Sequence, residues 1–511
     1  MRFHARDRRS SASGEASMET AEIVKLFRAK AKLIKPSAVE ALKGRPDEEV
    51  NRIADVLCSR DSPVITESDV HEQTNDAKTP DFVEVKRASD FHPTAKEYGH
   101  EFKVQEEWDV TGRSKCSGTL DDFVKYMNDR YQRTKEVLLS RPSRNRVLRI
   151  ELLDSMQPGN EVRLIGLVSR KLLTKNKHFM LDIEDDSGLT TILVLNDKRV
   201  GSTYDKATRV INDEVIAVDI KIGTNLKIAT DITWPDVPLK PKKTIEKDLS
   251  IAYIADTHIG SMHFQAKSFE GMLKWLNGNG PHKEIAEKIG YLMVGGDIAD
   301  GIGNYPHQEK ELVIKDVFEQ YALFNKFMEL VPDHIEIIVI PGNHDAVRHA
   351  EPQPAMDKTM IAENGRTISL SNPAHVTIEG LKTQMYHGYS MQALIADVPG
   401  LSFARPEEIS MEFLKRRNFA NIYDKNTLSP EHKDYMFTEE CDMLFSAHVH
   451  KIGYSEYHGC VLMNSGTWLD KTTAWQLRLG FIPTPAVMGV YNMKTGHVAH
   501  LDFNKSEAAV Q

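Results

Sequence analysis

Ile337-Ile-Val-Ile-Pro-Gly-Asn-His-Asp345 is a β-branched run that stops at a turn dipeptide and delivers three polar side chains. The run reads as a buried strand. Pro341-Gly342 ends it, so Asn343, His344 and Asp345 fall on the loop at its carboxyl end. Asn343 offers a neutral oxygen to a metal, which leaves His344 free to act as an acid or to stabilise charge. The same pattern recurs on both sides. Leu249-Ser-Ile-Ala-Tyr-Ile-Ala255 leads into Asp256-Thr-His258, and Tyr291-Leu-Met-Val294 into Gly295-Gly-Asp297. Met385-Tyr386 leads into His387-Gly388, and Met443-Leu-Phe445 into Ser446-Ala-His-Val-His450. An Asp and a His two apart can face one metal where the loop turns between them, and Gly260 permits close backbone approach. The two oxygens of Asp297, on a rigid strand end, can bridge two ions. Any one island alone is an ordinary polar loop. Five strand-then-ligand islands in order are hard to explain as core packing and point to a metal site. Helical stretches such as Gln308 to Leu330 alternate with these strands, which predicts a layered α/β domain.

The islands resemble the calcineurin-like metallophosphoesterases, whose pattern is Asp-x-His, Gly-Asp, Gly-Asn-His-Asp or Glu, His, and Gly-His-x-His. The resemblance runs from Ile251 to Leu469. It implies that Asp256, His258 and His450 hold one metal, that Asn343, His387 and His448 hold the other, and that Asp297 bridges them. His344 would lie beside the scissile phosphate. Ala447 departs from the family's glycine, with a small shift of the loop expected and both ligands kept. Mixed nitrogen and oxygen ligands suit manganese, iron or zinc over magnesium or calcium. The nuclease members of the superfamily imply two Mn2+ ions.

The rest of the chain predicts an α+β multidomain protein. Residues 1–17 are Arg- and Ser-rich and read as a disordered N-terminus, with Met18 an alternative start. Residues 18–60 carry apolar positions at helical spacing and read as a small helical docking domain. Residues 61–118 are rich in acidic residues, Thr, Ser and Pro and read as a linker. Residues 119–141 form one amphipathic helix with Phe123, Tyr126, Met127, Tyr131 and Leu138 on its apolar face. Residues 147–235 are strand-rich, at the spacing of a five-stranded OB-type barrel. Residues 236–247 make a stiff basic linker, and 248–503 the metallophosphoesterase domain. The formal charge of -9 excludes a wholly basic nucleic-acid coat but not a local groove. Four cysteines without a Cys-x-x-Cys pair give neither a disulfide framework nor a cysteine zinc site. No apolar run is long enough to span a bilayer, so no membrane partner and a cytoplasmic location are expected.

A narrower resemblance is carried by segments in order. They are Phe123-Val-Lys-Tyr126 with Arg130-Tyr131, the barrel region, Asp300-Gly-Ile-Gly-Asn-Tyr-Pro306, Asn464-Ser-Gly-Thr-Trp468 and Ile482-Pro-Thr-Pro485. From Leu120 to Phe503 the chain is similar to the small subunits of the archaeal D-family DNA polymerases. That implies a proofreading 3′–5′ exonuclease acting on DNA with a 3′ end, in a heterodimer with a large polymerising subunit. Eukaryotic B-subunits share the layout but have lost metal ligands, whereas all seven positions stand here. Tyr389 departs from the basic residue frequent in the family after the glycine. The alternatives are another calcineurin-like nuclease or phosphodiesterase, or a non-catalytic scaffold subunit.

Overall fold

The computed structural model describes residues 18–30, 32–43, 45, 47–58, 64–65, 70, 85–197, 201–470, 480–504 and 509–510. The expected disordered segment 1–17 lies outside them. The chain divides into two compact units, 1–82 and 83–511.

In the first unit, helices α1 (Thr20–Ala29), α2 (Pro36–Leu42) and α3 (Asp47–Cys58) share a core that includes Ile23, Phe27, Leu42, Ile53 and Leu57. Reciprocal Glu19–Glu22 bonds cap α1, and Pro36 opens α2, where its missing N–H costs nothing. Strands β1 (Leu33–Ile34) and β2 (Val64–Ile65) pair in parallel beside them.

The second unit corrects the linker expectation from Val85 onward. Strand β3 (Phe102–Val104) pairs antiparallel with the edge strand Ala374–Ile378 of a larger sheet, and Phe91, Ala95, Trp108 and Val110 are buried. The polar composition hid this, because a few apolar anchors suffice to pin an extended segment onto a preformed surface. Helix α4 (Leu120–Leu139) starts at a Thr119–Asp122 capping box. Its Tyr131 and Leu138 pack on Ile165, Leu167, Val215 and Ala217. Its Arg130 is buried, paired to Asp434 at 2.8 Å and donating to the carbonyls of Ala420 and Asn421. The aromatic stripe is therefore spent on this chain's own packing; Leu120 and Val124 stay exposed.

Strands β4 (Glu161–Leu173), β5 (Phe179–Asp185), β6 (Gly188–Val194), β7 (Val215–Ile222) and β8 (Lys227–Thr233) close a barrel in the order β4-β5-β6-β8-β7. Helix α5 (Gly201–Arg209) lies between β6 and β7 in the chain. Buried Glu214 ties the barrel to the next domain: it pairs with Arg416 at 2.8 Å and accepts the Trp234 indole N–H at 3.0 Å. The basic linker that follows is strapped down and neutralised, Lys240 and Lys243 by Asp442 and Lys247 by Glu379.

The remaining strands make two facing sheets. One holds β9 (Ser250–Ile254), β10 (Ile289–Val294), β11 (Glu336–Val339), β12 (Thr367–Ser369), β18 (Val487–Asn492), β19 (Val498–Asp502) and β20 (Ala509–Val510), in the order β12-β11-β10-β9-β18-β19-β20. The other holds β13 (Ala374–Ile378), β14 (Leu381–Tyr386), β15 (Met443–Ser446), β16 (Gly453–Tyr457) and β17 (Cys460–Asn464), with β3 added, in the order β16-β17-β15-β14-β13-β3. Tyr253, Met293, Ile338, Met385, Phe445 and Met463 fill the layer between them. Helices α6 (Ala266–Leu276) and α7 (Val317–Glu329) cover the outer face of the first sheet, and α8 (Pro406–Arg416) that of the second. The α/β expectation resolves as four layers, helix–sheet–sheet–helix. The helix read from Gln308 to Leu330 is shorter: a 3-10 turn covers Gln308–Lys310, and the α-helix begins at Val317, where the Asp316 carboxylate accepts the Phe318 and Glu319 N–H groups. Among the described residues, no helix is long and apolar enough to cross a membrane.

Candidate metal centre

Strands β9, β10 and β11 run parallel in one sheet, and β14 and β15 run parallel in the other. Their carboxyl ends therefore open on the same edge of the sandwich, the place where α/β sheets leave a crevice. Asp256 and His258 follow β9, Asp297 follows β10, Asn343 and His344 follow β11, His387 follows β14, and His448 and His450 follow β15. All eight converge. Asp256, His258 and His450 offer ligand atoms within 4.8 Å of one another, and so do Asp297, His387 and His448. Asp297 Oδ2 stands between the two groups, 3.8 Å from His258 Nε2 and 3.4 Å from His387 Nε2. Asn343 Oδ1 lies 3.1 Å from His387 Nε2.

The backbone is bent to achieve this. Asp256, His258, Asp297, His448 and His450 all adopt left-handed φ values between 46° and 70°. Such strain in non-glycine residues persists where the surroundings over-determine it, and it clusters at functional sites. Gly342 lets two loops touch: a Cβ there would sit 2.2 Å from Asp297 Oδ1. Ala447 needs no left-handed backbone, and its N–H bonds the His387 carbonyl at 2.8 Å, so the departure from glycine leaves the His pair in place.

The electrostatics call for cations. Asp256 is buried, its Oδ1 has no hydrogen-bond partner, and burial pushes its carboxyl up to about 7. Burial opposes a charge on His258, yet the Asp300 hydrogen bond and the Asp297 charge raise it to about 9. Burial likewise opposes a charge on His387, but Asp297 raises it to about 10. Asp297 is penalised by burial and still held well below the usual range, chiefly by His387 and His344. Burial holds His448 down to about 3, and His450 well below its usual value. Buried carboxylates thus draw protons onto two imidazoles while two others stay neutral, ready to donate lone pairs. An orphaned buried carboxylate oxygen among convergent imidazole nitrogens fits divalent cations bound by mixed nitrogen and oxygen donors.

Around this centre lie residues to which the sequence reading gave no role. Asp300 Oδ1 meets His258 Nδ1 at 3.1 Å, and its carbonyl meets His344 Nδ1 at 2.9 Å, so one residue orients both rings. Gln308 donates to the other Asp300 carboxylate oxygen at 2.8 Å. Asp345 accepts the N–H groups of Ile298, Ala299 and Gly342 and the Tyr321 hydroxyl, locking two ligand loops together. Thr467 and Trp468 both donate to the Asp256 carbonyl, so the Asn464–Trp468 segment braces that strained residue. Gln392 Nε2 lies 3.2 Å from His448 Nε2, and the Tyr389 ring meets the His448 ring edge-on at 5.5 Å. Spacing offered one cue: Asp300 is three residues beyond Asp297 on the same loop.

A calcineurin-like phosphoesterase family model matches residues 249–452. Over 420 residues the chain is 34% identical to the DNA polymerase II small subunit of Methanocaldococcus jannaschii, covering 80% of this chain and 69% of that protein. Over 403 residues it is 36% identical to the protein of the same name from Archaeoglobus fulgidus, covering 77% of this chain and 80% of that one. The one from Methanothermobacter thermautotrophicus is 37% identical over 392 residues, covering 75% and 80% respectively.

Proposed function

From a chain that belongs to the family of DNA polymerase II small subunits and carries a calcineurin-like phosphoesterase domain, we propose a 3′–5′ exonuclease that proofreads beside a large polymerising subunit. The observation that carries it is the complete set of seven metal-suited side chains around one crevice. A scaffold that had given up catalysis would have no reason to hold five residues in left-handed backbone around a buried, unpartnered carboxylate.

Asp256, His258 and His450 would hold one divalent cation and Asn343, His387 and His448 the other, with Asp297 shared between them. Two such ions supply Lewis-acid polarisation of a phosphodiester and a water of lowered pKa. The chain's own residues do the rest. His344 donates its backbone N–H to Asp297 Oδ1 at 2.8 Å, and its ring is fixed through Nδ1 on the Asp300 carbonyl. That leaves Nε2 as the atom that can pass a proton to the departing 3′ oxygen. The side chain keeps 18% of its surface exposed, while the metal-suited imidazole His258 keeps 3%, so His344 is the group positioned to meet substrate. Burial of Asp256, His258, Asp297, His387 and His450 limits the access of bulk water and strengthens charge interactions at a phosphate held there. An unpaired 3′ terminus enters such a crevice at lower cost than a paired one.

The test is polarity. A mismatched primer labelled at its 5′ end, incubated with the chain and Mn2+, should shorten in a ladder from the 3′ end and release nucleoside monophosphates. Shortening from the 5′ end, or endonucleolytic products alone, would contradict the reading.

A further inference from the structure

Away from the metal centre, a cavity of about 220 Å3 is lined by Trp108, His375, Gln384 and the carboxylates of Glu107, Glu439 and Glu440, with Lys382 at its wall. His375 and Gln384 are direct partners across β13 and β14, so their side chains leave the sheet on the same face. Both are buried, at 3% and 2% exposure. Neither His375 Nε2 nor Gln384 Oε1 has a hydrogen-bond partner. The Gln384 amide is held in place, since its Nε2 donates to the Glu439 carbonyl at 2.9 Å. Trp108 stacks on the His375 ring at 4.9 Å and fixes its plane. Burial and the nearby Lys433 hold His375 down to about 3, so the ring is neutral and can accept through a nitrogen.

Buried polar atoms are rarely left unpaired without a reason. Two orphaned buried acceptors stand beside three carboxylates that form no ion pair among the described residues, with Lys433 and Arg417 the cations nearby. Among the described residues, the His, Asp and Glu groups spaced for one metal ion all belong to the centre described above, so a bound metal is disfavoured here. A lysine ammonium offers three donors from one point, whereas a guanidinium offers five in a planar fork and reaches separated acceptors together. We propose that the cavity is a guanidinium site, filled by an arginine side chain of a bound protein chain or by a free arginine-like amine.

Calorimetry of the full chain with N-acetyl-arginine methylamide tests it. Binding at one site is expected, with weaker binding of the lysine analogue. Glu439→Gln with Glu440→Gln should weaken it at least about tenfold, as loss of charged hydrogen-bond partners does. Lys382→Ala, which removes an exposed like charge, should strengthen it severalfold. Repeating the titration on the complex with the large subunit separates the sources. Loss of binding there assigns the arginine to the partner, and retained binding assigns the site to a free ligand. No heat with the arginine probe, or an affinity indifferent to both variants, would overturn the proposal and leave a cavity filled by water.

Discussion

His258 and His450, 192 residues apart in the chain, present their Nε2 atoms to each other at 3.2 Å. Their rings cross at 68°, so the two nitrogens converge edge to edge without stacking. His258 cannot turn away, because its Nδ1 is engaged by Asp300. His450 Nε2 also stands 3.5 Å from the unpartnered Asp256 Oδ1. Three donors therefore share one small volume, and without a cation each is held there at a cost.

That cost yields the first expectation. Asp256→Asn removes a buried charge that has no local partner on Oδ1, so the chelator-treated protein should melt higher than the wild type. The same change should abolish the rise in Tm that Mn2+ gives the wild type, since ligands that bind only the folded state stabilise it by mass action. Paired thermal melts with chelator and with Mn2+ read both signs.

A second expectation separates positioning from proton transfer. Asp300→Asn loosens His258 and disturbs the loop that carries His344. It should lower activity about 10–100-fold and shift the metal dependence to higher concentration. His344→Ala should lower activity at saturating metal and leave that dependence unchanged. Activity titrated against Mn2+ distinguishes them.

Gly342→Ala tests the contact between the β10 and β11 loops. The added Cβ would lie 2.2 Å from Asp297 Oδ1 and 2.4 Å from the Asp297 backbone nitrogen. Neither can yield without displacing the residue between the two sites. A loss of about 1–3 kcal/mol of stability is expected, as for overpacking in a full core, together with loss of metal uptake. Denaturant melts and metal analysis of the purified variant check it.

The pattern of legibility follows from how these residues work. Candidate ligands on strand ends carry their signal locally, as an apolar run followed by Asp, Asn or His, so the placement of His387 and of the His448–His450 pair on loops after buried strands is legible without coordinates. The two-sheet stacking was not visible, because strands buried on both faces, such as β9 and β10, show no alternation to reveal which neighbour they meet. Trp108 and β3 were lost inside a polar segment, since their partners lie far along the chain at His375, Phe437 and Val376. Asp345 stands in the opening motif, but its role depends on two N–H groups from the Asp297 loop and one from its own, and no spacing rule encodes that.

Acid should weaken the fold partly through His375. Its folded form is held down to about 3 by burial and Lys433, while the unfolded side chain titrates near 6.5. The unfolded state therefore takes the proton first. The stabilisation is complete above 6.5 and is lost as pH falls from there toward 3, at up to about 1.4 kcal/mol per pH unit. His375→Phe keeps a ring against Trp108 and removes the titration, so its denaturation midpoint should fall less steeply between pH 6.5 and 4.5. Equal slopes for the two proteins would assign the acid sensitivity elsewhere.

The most direct test of the two-cation exonuclease reading is single-turnover degradation of a 3′-mismatched primer in Mn2+, by the wild type, Asp297→Ala and His344→Ala, each assayed with the large subunit. The wild type should shorten the primer from its 3′ end, Asp297→Ala should keep less than about a thousandth of that activity, and His344→Ala should lose about 100-fold or more. Undiminished shortening by both variants would contradict it.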